Sequence, residues 1–367
     1  MIVPDSPSRA GPATRRTFIR GTSRVLAGTA LAALAALSAC TAGSASHPRA
    51  IATATDTATT SSLLLHPWAK LGPGRVTAAV ATAERLAVLS VGRDRAGTLT
   101  LLPTAGFGQT VTVPAGSEPR DVAAAGPTAV VAVGHGDGTG ALVDADSVVF
   151  FDARTGHRTS TVRVPSPTAV VTDGELTWVL SEPDSGVDSL LQLKAGRIVR
   201  TVRLAAPAAS GPVGGRGPLA LAAGELLLVV APSPEALSLA RFSARTGSSQ
   251  GAVVPLGING AALLSATGLQ SVVVAQNADS GGVVAVSSRV TRLGDDRDVG
   301  SLAVTSSDIF TIGAPDPATS PVLRRGGAQT LVQAQVALPT PTDPAVVVTN
   351  GTQVWVITTG SIDSVTG

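Results

Sequence analysis

The sequence predicts an all-β fold: a β-propeller of seven four-stranded antiparallel blades, closed into a ring by an N-terminal strand added to the last blade. Three observations predict it. A strand-turn-strand unit, clearest at 168–180 (TAVVTDGELTWVL), recurs seven times. Counted between Glu84, Gly126, Gly174, Gly224, Gly268, Ser307 and Gly351, its steps are 42, 48, 50, 44, 39 and 44 residues. A second hairpin follows the first, so each repeat holds four short strands within the ~40–45 residues of a propeller blade.

The unit is built from strand chemistry. Val170, Val171, Thr177, Val179 and Leu180 are β-branched or apolar residues at strand density. Asp173-Gly174 suits a two-residue hairpin, because both residues tolerate positive φ. Trp178 and Trp355 each follow their anchor glycine by four places. They are expected to pack between blades. The second hairpin turns are FDARTG at 151–156 and FSARTG at 242–247, with LKAG at 193–196 in the same slot.

In order, the blades are expected at 75–114, 119–165, 167–204, 218–255, 259–294, 299–336 and 344–367. After Trp355 the seventh has room for one further strand only, near 361–366. A propeller must close without an exposed edge. The apolar stretch Ser61–His66 (SSLLLH) has no partner of its own and is expected to complete the seventh blade from outside. This grammar resembles the bacterial seven-bladed propellers with YVTN- or NHL-like repeats over about residues 61–367, and the same closure is usual in them. The resemblance rests on repeats and not on a catalytic motif, so it speaks to fold and not to function.

Residues 1–39 read as an export signal. Thr14–Arg20 is TRRTFIR, and a 13-residue apolar segment, Val25–Leu37, follows. That is too short to span a bilayer comfortably. The segment ends at Leu37-Ser38-Ala39-Cys40, and Cys40 is the only cysteine. The arrangement resembles a twin-arginine signal closed by a lipobox. The resemblance implies that Arg15 and Arg16 are the address and that Cys40 is lipidated as the new N-terminus. The mature chain would then sit at the outer face of the cytoplasmic membrane. Residues 40–60, rich in Ala, Thr and Ser, are expected to be a flexible tether.

Composition narrows the function. Residues 1–39 carry five Arg and one Asp, so 27 − 5 = 22 basic and 25 − 1 = 24 acidic groups remain, a net charge of −2. The chain's basic character therefore belongs largely to the signal and gives no case for nucleic-acid binding. Aromatic residues are 2% of the chain and Tyr is absent, which argues against sugar stacking and single-stranded nucleic acid. His47, His66, His135 and His157 show no zinc spacing with a second His or a Cys. There is no Gly-x-Ser-x-Gly elbow. No cofactor is evident, and a monomer is expected.

In a four-stranded blade, the loops between second and third strands share one face of the disc with the loops between blades. The turns inside each hairpin share the other. Sorted this way, most carboxylates fall on the first face, including Asp121, Asp295, Asp296 and Asp298. Loop 134–146 adds His135 and the carboxylates Asp137, Asp144 and Asp146, whose oxygens could hold Ca²⁺ but in no established calcium-loop spacing. Against these stand Arg93, Arg95, Arg120, Arg216 and Arg297. The second-hairpin turns of the opposite face carry Arg154, Arg158, Lys194, Arg197, Arg245, Arg324 and Arg325. The loop face is thus the expected ligand or partner face.

The expected function is a lipid-anchored binding or scaffold module for a protein partner or small ligand. The alternative is a propeller enzyme, a hydrolase or lactonase, or a sugar or alcohol dehydrogenase. Three or more carboxylates or amides converging beside Asp121 would mark the enzyme. An apolar or Ser/Thr-lined channel would mark the binding module.

Overall fold

The computed structural model describes residues 61–105, 108–134, 146–183, 186–211, 217–268, 270–276, 281–295, 299–313, 320–327, 332–339 and 345–367. The expected signal and tether, with Arg15, Arg16 and Cys40, lie outside them. Among the described residues all regular structure is β, in seven sheets. Blade 1 comprises Arg75–Ala81, Arg85–Val91, Ala96–Pro103 and Val111–Ser117. Blade 2 comprises Pro119–Ala125, Thr128–Val133, Ser147–Asp152 and Arg158–Arg163. Blade 3 comprises Pro167–Thr172, Leu176–Ser181, Ser189–Lys194 and Arg197–Arg203. Blade 4 comprises Leu219–Ala222, Glu225–Ser233, Ala236–Ser243 and Val254–Pro255. Blade 5 comprises Ala261–Thr267, Gln270–Gln276, Gly282–Val286 and Val290–Gly294. Blade 6 comprises Val299–Val304, Ile309–Gly313, Val322–Gly326 and Ala334–Ala337. Blade 7 comprises Val346–Thr349, Val354–Thr358, Ser361–Thr366 and Leu64–Lys70. The first strands touch one another in chain order, and that of blade 7 touches that of blade 1, so the ring is closed.

Closure differs from the expectation in register. The strand that completes blade 7 is Leu64–Lys70, antiparallel to Ser361–Thr366, rather than Ser61–His66. A bulge between Pro67 and Ala69 absorbs the missing N–H of Pro67, which lets the strand run past the proline. Ser61 and Ser62 instead pair parallel with Ala334 and Gln335, adding a fifth strand to blade 6. Leu63, between the two segments, is 2% exposed and packs among blade 6 and blade 7 side chains such as Phe310, Leu323 and Val356. The N-terminal segment therefore clasps two blades.

The core is seven apolar clusters, one at each seam between blades. In Thr128–Val133, Ala129, Val131 and Val133 pack toward blade 1, while Val130 and Ala132 pack toward blade 3. Alternation with period two sends successive side chains to opposite faces, so a middle strand buried on both sides reads as a continuous apolar run. Ala, Val and Leu fill these narrow seams, so the fold closes with few aromatics.

The first-hairpin turns come in two kinds. In blades 2, 4 and 5 they are two-residue turns, as Ala125 opposite Thr128, Ala222 opposite Glu225 and Thr267 opposite Gln270 show. Ala223 and Gly224 both take positive φ, 50° and 77°. The Asp173-Gly174 turn is wider than the two-residue form expected. Asp173 N donates to Leu176 O, and Asp173 Oδ1 accepts from the amides of Glu175 and Leu176. Thr82, Thr305 and Asn350 donate across the same four-residue loop to Arg85, Asp308 and Gln353. A side-chain oxygen that replaces backbone acceptors makes the longer loop as good as the tight one.

Candidate functional site: the loop-side cavity

A cavity of about 1130 Å³ opens on the loop face. Its wall is made by the entries to blades 1 to 4, the 2–3 loops of blades 1 and 3, and Thr359 of blade 7. Its floor includes Thr77, Arg120 and Thr168. Each sits at a register shift near the start of its blade's first strand, between Val76 and Ala78, Pro119 and Asp121, and Pro167 and Ala169. A bulge leaves one residue unpaired and re-aims it, so three equivalent positions of the repeat face the same space.

Four arginines and two glutamates give the cavity its charge: Arg75, Arg93, Arg95, Arg120, Glu118 and Glu182. Arg95 and Glu118 form an ion pair at 3.1 Å, and Glu118 N donates to Arg95 O at 2.9 Å. Both hold positive φ, 64° and 48°. Non-glycine residues at such angles are uncommon and cost of order 1 kcal/mol or more, so the surroundings must hold them there. Part of the reason is architectural. Glu118-Pro119 and Ser166-Pro167 form the same inter-blade corner, with Ser166 also at positive φ, 41°. The carbonyls of Glu118 and Ser166 accept the amides of Gly134 and Glu182.

That equivalence places Glu182 where blade 2 has Gly134. A Cβ on Gly134 would lie 2.6 Å from Arg120 Nε, so glycine there lets the arginine lie across the backbone. At Glu182 the repeat instead puts a carboxyl into the cavity wall. Burial pushes its pKa up to about 7, and the nearby charge of Asp188 adds to the rise. The Thr168 hydroxyl and the Arg120 guanidinium oppose it. Asp188 itself accepts the Ala208 amide at 2.9 Å.

The residues singled out from sequence are dispersed. Asp121 is 4% exposed and lies at a seam, where its carboxylate accepts Val122 N at 2.8 Å and Val170 N of blade 3 at 2.9 Å. Ser301 in blade 6 makes the same link to Val347 N of blade 7 at 2.9 Å. Asp146 turns the chain at φ 52° and accepts the Ser166 amide at 3.1 Å. Asp295 is exposed and bonded to Arg292 at 2.6 Å. His135, Asp137, Asp144, Asp296 and Asp298 lie outside the described residues. Among the described residues no three His, Cys, Asp or Glu gather as a metal ion would require. Sequence reasoning assigned Arg93, Arg95, Arg120, Glu118 and Glu182 to the right face but not to one opening. The signal was the pairing of Arg93-Asp94-Arg95 in a 2–3 loop with Glu118-Pro119-Arg120 in the next inter-blade loop.

The fold defines a class, the β-propellers, and comparison with solved structures agrees. The chain is similar to the β-propeller domain of Cps50 (Swd1) from Myceliophteria thermophila, with a TM-score of 0.57 and 13% identity, covering 83% of this chain and 100% of that one. It is also similar to the β-propeller domain of the trilobed protease from Pyrococcus furiosus, with a TM-score of 0.54 and 7% identity, covering 79% and 95%. That domain has an open velcro topology. Here the ring is closed by the Leu64–Lys70 strand. No protein-family model and no curated protein matches the chain.

Proposed function

We propose that this protein is a binding module, held at the outer face of the cytoplasmic membrane through a lipidated Cys40, that engages its protein partner or small ligand through the loop-side cavity. The observation that carries the reading is the convergence of loops from five blades on one concave opening whose lining includes four arginines and two glutamates. Among the described residues no carboxylates gather beside Asp121, whose oxygens are engaged by backbone amides at a seam. Among the described residues the enzyme reading draws on Glu182, poised near neutrality beside Arg120. The lipid anchor rests on the sequence of residues 14–40.

Two measurements on the full chain in its host test this. Wild type should sediment with membranes, and Cys40→Ala should be exported but released into the soluble fraction. A photo-crosslinking residue at position 359, where exposed Thr359 lines the cavity, should capture the bound species. One at position 154, on the hairpin-turn face, should not. Equal capture from both faces would overturn the placement of the site, and unchanged sedimentation of Cys40→Ala would overturn the anchor.

A further inference from the structure

The loop face as a whole is rich in carboxylates by sequence, yet the cavity in it is not. Arg95 and Glu118 neutralise each other. The guanidinium groups of Arg75, Arg93 and Arg120 have no ion pair or hydrogen bond among the described residues, although all three line the same space. Against three guanidinium groups the wall sets one further carboxyl, Glu182, whose pKa burial pushes up to about 7, so that about half of it is uncharged at neutrality. A neutral carboxylic acid is a hydrogen-bond donor and does not repel an anion. Thr77, Thr168 and Ser210 add hydroxyls to the same wall. Such a set recognises oxyanions. Guanidinium groups pair with the planar oxygens of carboxylates and phosphates, hydroxyls and a protonated acid donate to the oxygens that remain, and no aromatic surface is offered to a sugar or base.

We propose that the loop-side cavity binds a small molecule carrying two or more oxyanion groups, carboxylate or phosphoryl, gripped by Arg75, Arg93 and Arg120. The inference rests on the reading of this cavity as the binding site and names its ligand class. Spacing favours more than one anionic group. Arg75 enters from the start of blade 1, Arg93 from its 2–3 loop and Arg120 from the start of blade 2, so three separate segments present the charges. The volume leaves room for a small molecule, lying just above the ~300–1,000 Å³ usual for ligand pockets.

The test is calorimetric titration of the full chain, purified in detergent, with citrate and with inorganic pyrophosphate, and with spermidine as a probe of opposite charge. Saturable one-site binding of citrate, pyrophosphate or both is expected, and the preference between them assigns carboxylate or phosphoryl. Arg120→Gln and Arg93→Gln should each weaken it about ten- to a hundred-fold, the effect of losing a hydrogen bond to a charged group. Arg154→Gln, on the hairpin-turn face, should leave it unchanged. Melting curves show whether each variant is folded, and Arg93, on a loop, keeps the test open if Arg120→Gln is not. Failure of both anions to bind overturns the proposal. So does binding that both arginine variants leave intact, or binding of spermidine that Glu182→Gln abolishes. Capture of a species at position 359 without anion binding would remove only the ligand class. Failure at position 359 as well would remove the site.

Discussion

Trp178 and Trp355 occupy equivalent places in blades 3 and 7, both are fully buried, and they close their seams differently. Trp178 Nε1 donates to Ala244 O of blade 4 at 2.8 Å, and Gln192 Nε2 donates to the same carbonyl at 3.1 Å. The acceptor belongs to the FSARTG turn, where Gly247 at φ 66° leaves room for the indole. A Cβ there would lie 2.7 Å from the ring. Trp355 faces blade 1, which has no such turn. Thr104 holds the place of Ala244, since its amide likewise donates to the first-hairpin turn of its blade, to Glu84 O. Trp355 Nε1 has no hydrogen-bond partner among the described residues. Its ring is met instead by Trp68 of the closing strand, centroids 5.8 Å apart and tilted by 57°. One repeat position thus serves a polar latch in one seam and a purely apolar contact in another. What these two positions share is volume, and the hydrogen bond is added where the neighbouring turn supplies an acceptor.

The largest expected effect is common to both seams. Trp178→Ala and Trp355→Ala should each destabilise the protein by about 3–5 kcal/mol in denaturant unfolding, the usual cost of emptying a large buried site. A much smaller loss at Trp355 would break the equivalence, because it would mean that the closing seam does not depend on that ring.

This contrast also marks how far the sequence could be read. The repeat, its period and the inter-blade role of both tryptophans were legible, because β-branched runs and turn residues recur at fixed offsets. The partner of each tryptophan was not. It depends on whether the next blade's second turn is FSARTG or something else, a relation between residues 66 positions apart. Closure was legible as a need and misplaced by three residues at its start. The leucines of Ser61–His66 advertise a strand, whereas pairing begins at Leu64 and continues through a bulge at Pro67. The cavity was least legible. Three of its lining residues, Thr77, Arg120 and Thr168, sit at bulges, whose effect on direction no local pattern reveals.

The two seams should also differ in their response to pH, since Glu182 lies in blade 3. Its carboxyl is held at about 7 in the folded protein, against 4.5 when free. The folded state therefore binds this proton more tightly, so the stability that Glu182 contributes is fully present below about pH 4.5 and is lost as pH rises through about 7. Allowing for partial contact with water, the loss should be roughly 2 kcal/mol. Glu182→Gln should remove it. Unfolding midpoints at pH 5 and pH 8 for wild type and this variant measure the difference, and a Glu182→Gln variant with the wild-type slope would contradict it. Comparison of the tryptophan variants is therefore cleanest at one fixed pH.

Smaller changes separate the seams. Trp178→Phe keeps most of the ring and deletes the bond to Ala244, so it should cost about 1–2 kcal/mol. Gln192 continues to satisfy the carbonyl, which keeps the loss below that of leaving Ala244 O bare. In the other seam, Trp68→Ala removes the tilted aromatic contact, for which about 0.5–1.5 kcal/mol is expected beyond the area lost. Because Trp68 lies on the closing strand, the same variant should speed hydrogen exchange at Ser361–Thr366 before it affects blade 4. Uniform acceleration across the ring would show that closure is not a separable step.

The smallest effect is the sharpest discriminator. Trp355→Phe removes an indole N–H that is buried without a partner, and a buried unsatisfied donor costs about 1–3 kcal/mol. It also removes part of a ring from a close-packed seam, at a cost of similar size. The two changes oppose each other, so Trp355→Phe should lie within about 0.5 kcal/mol of wild type, while Trp178→Phe, which makes the same change of shape, does not. Equal losses from the two Phe variants would mean that shape alone governs both sites and that the bond to Ala244 contributes nothing. A loss confined to Trp178 would show that the seven seams, though cut from one pattern, are finished individually.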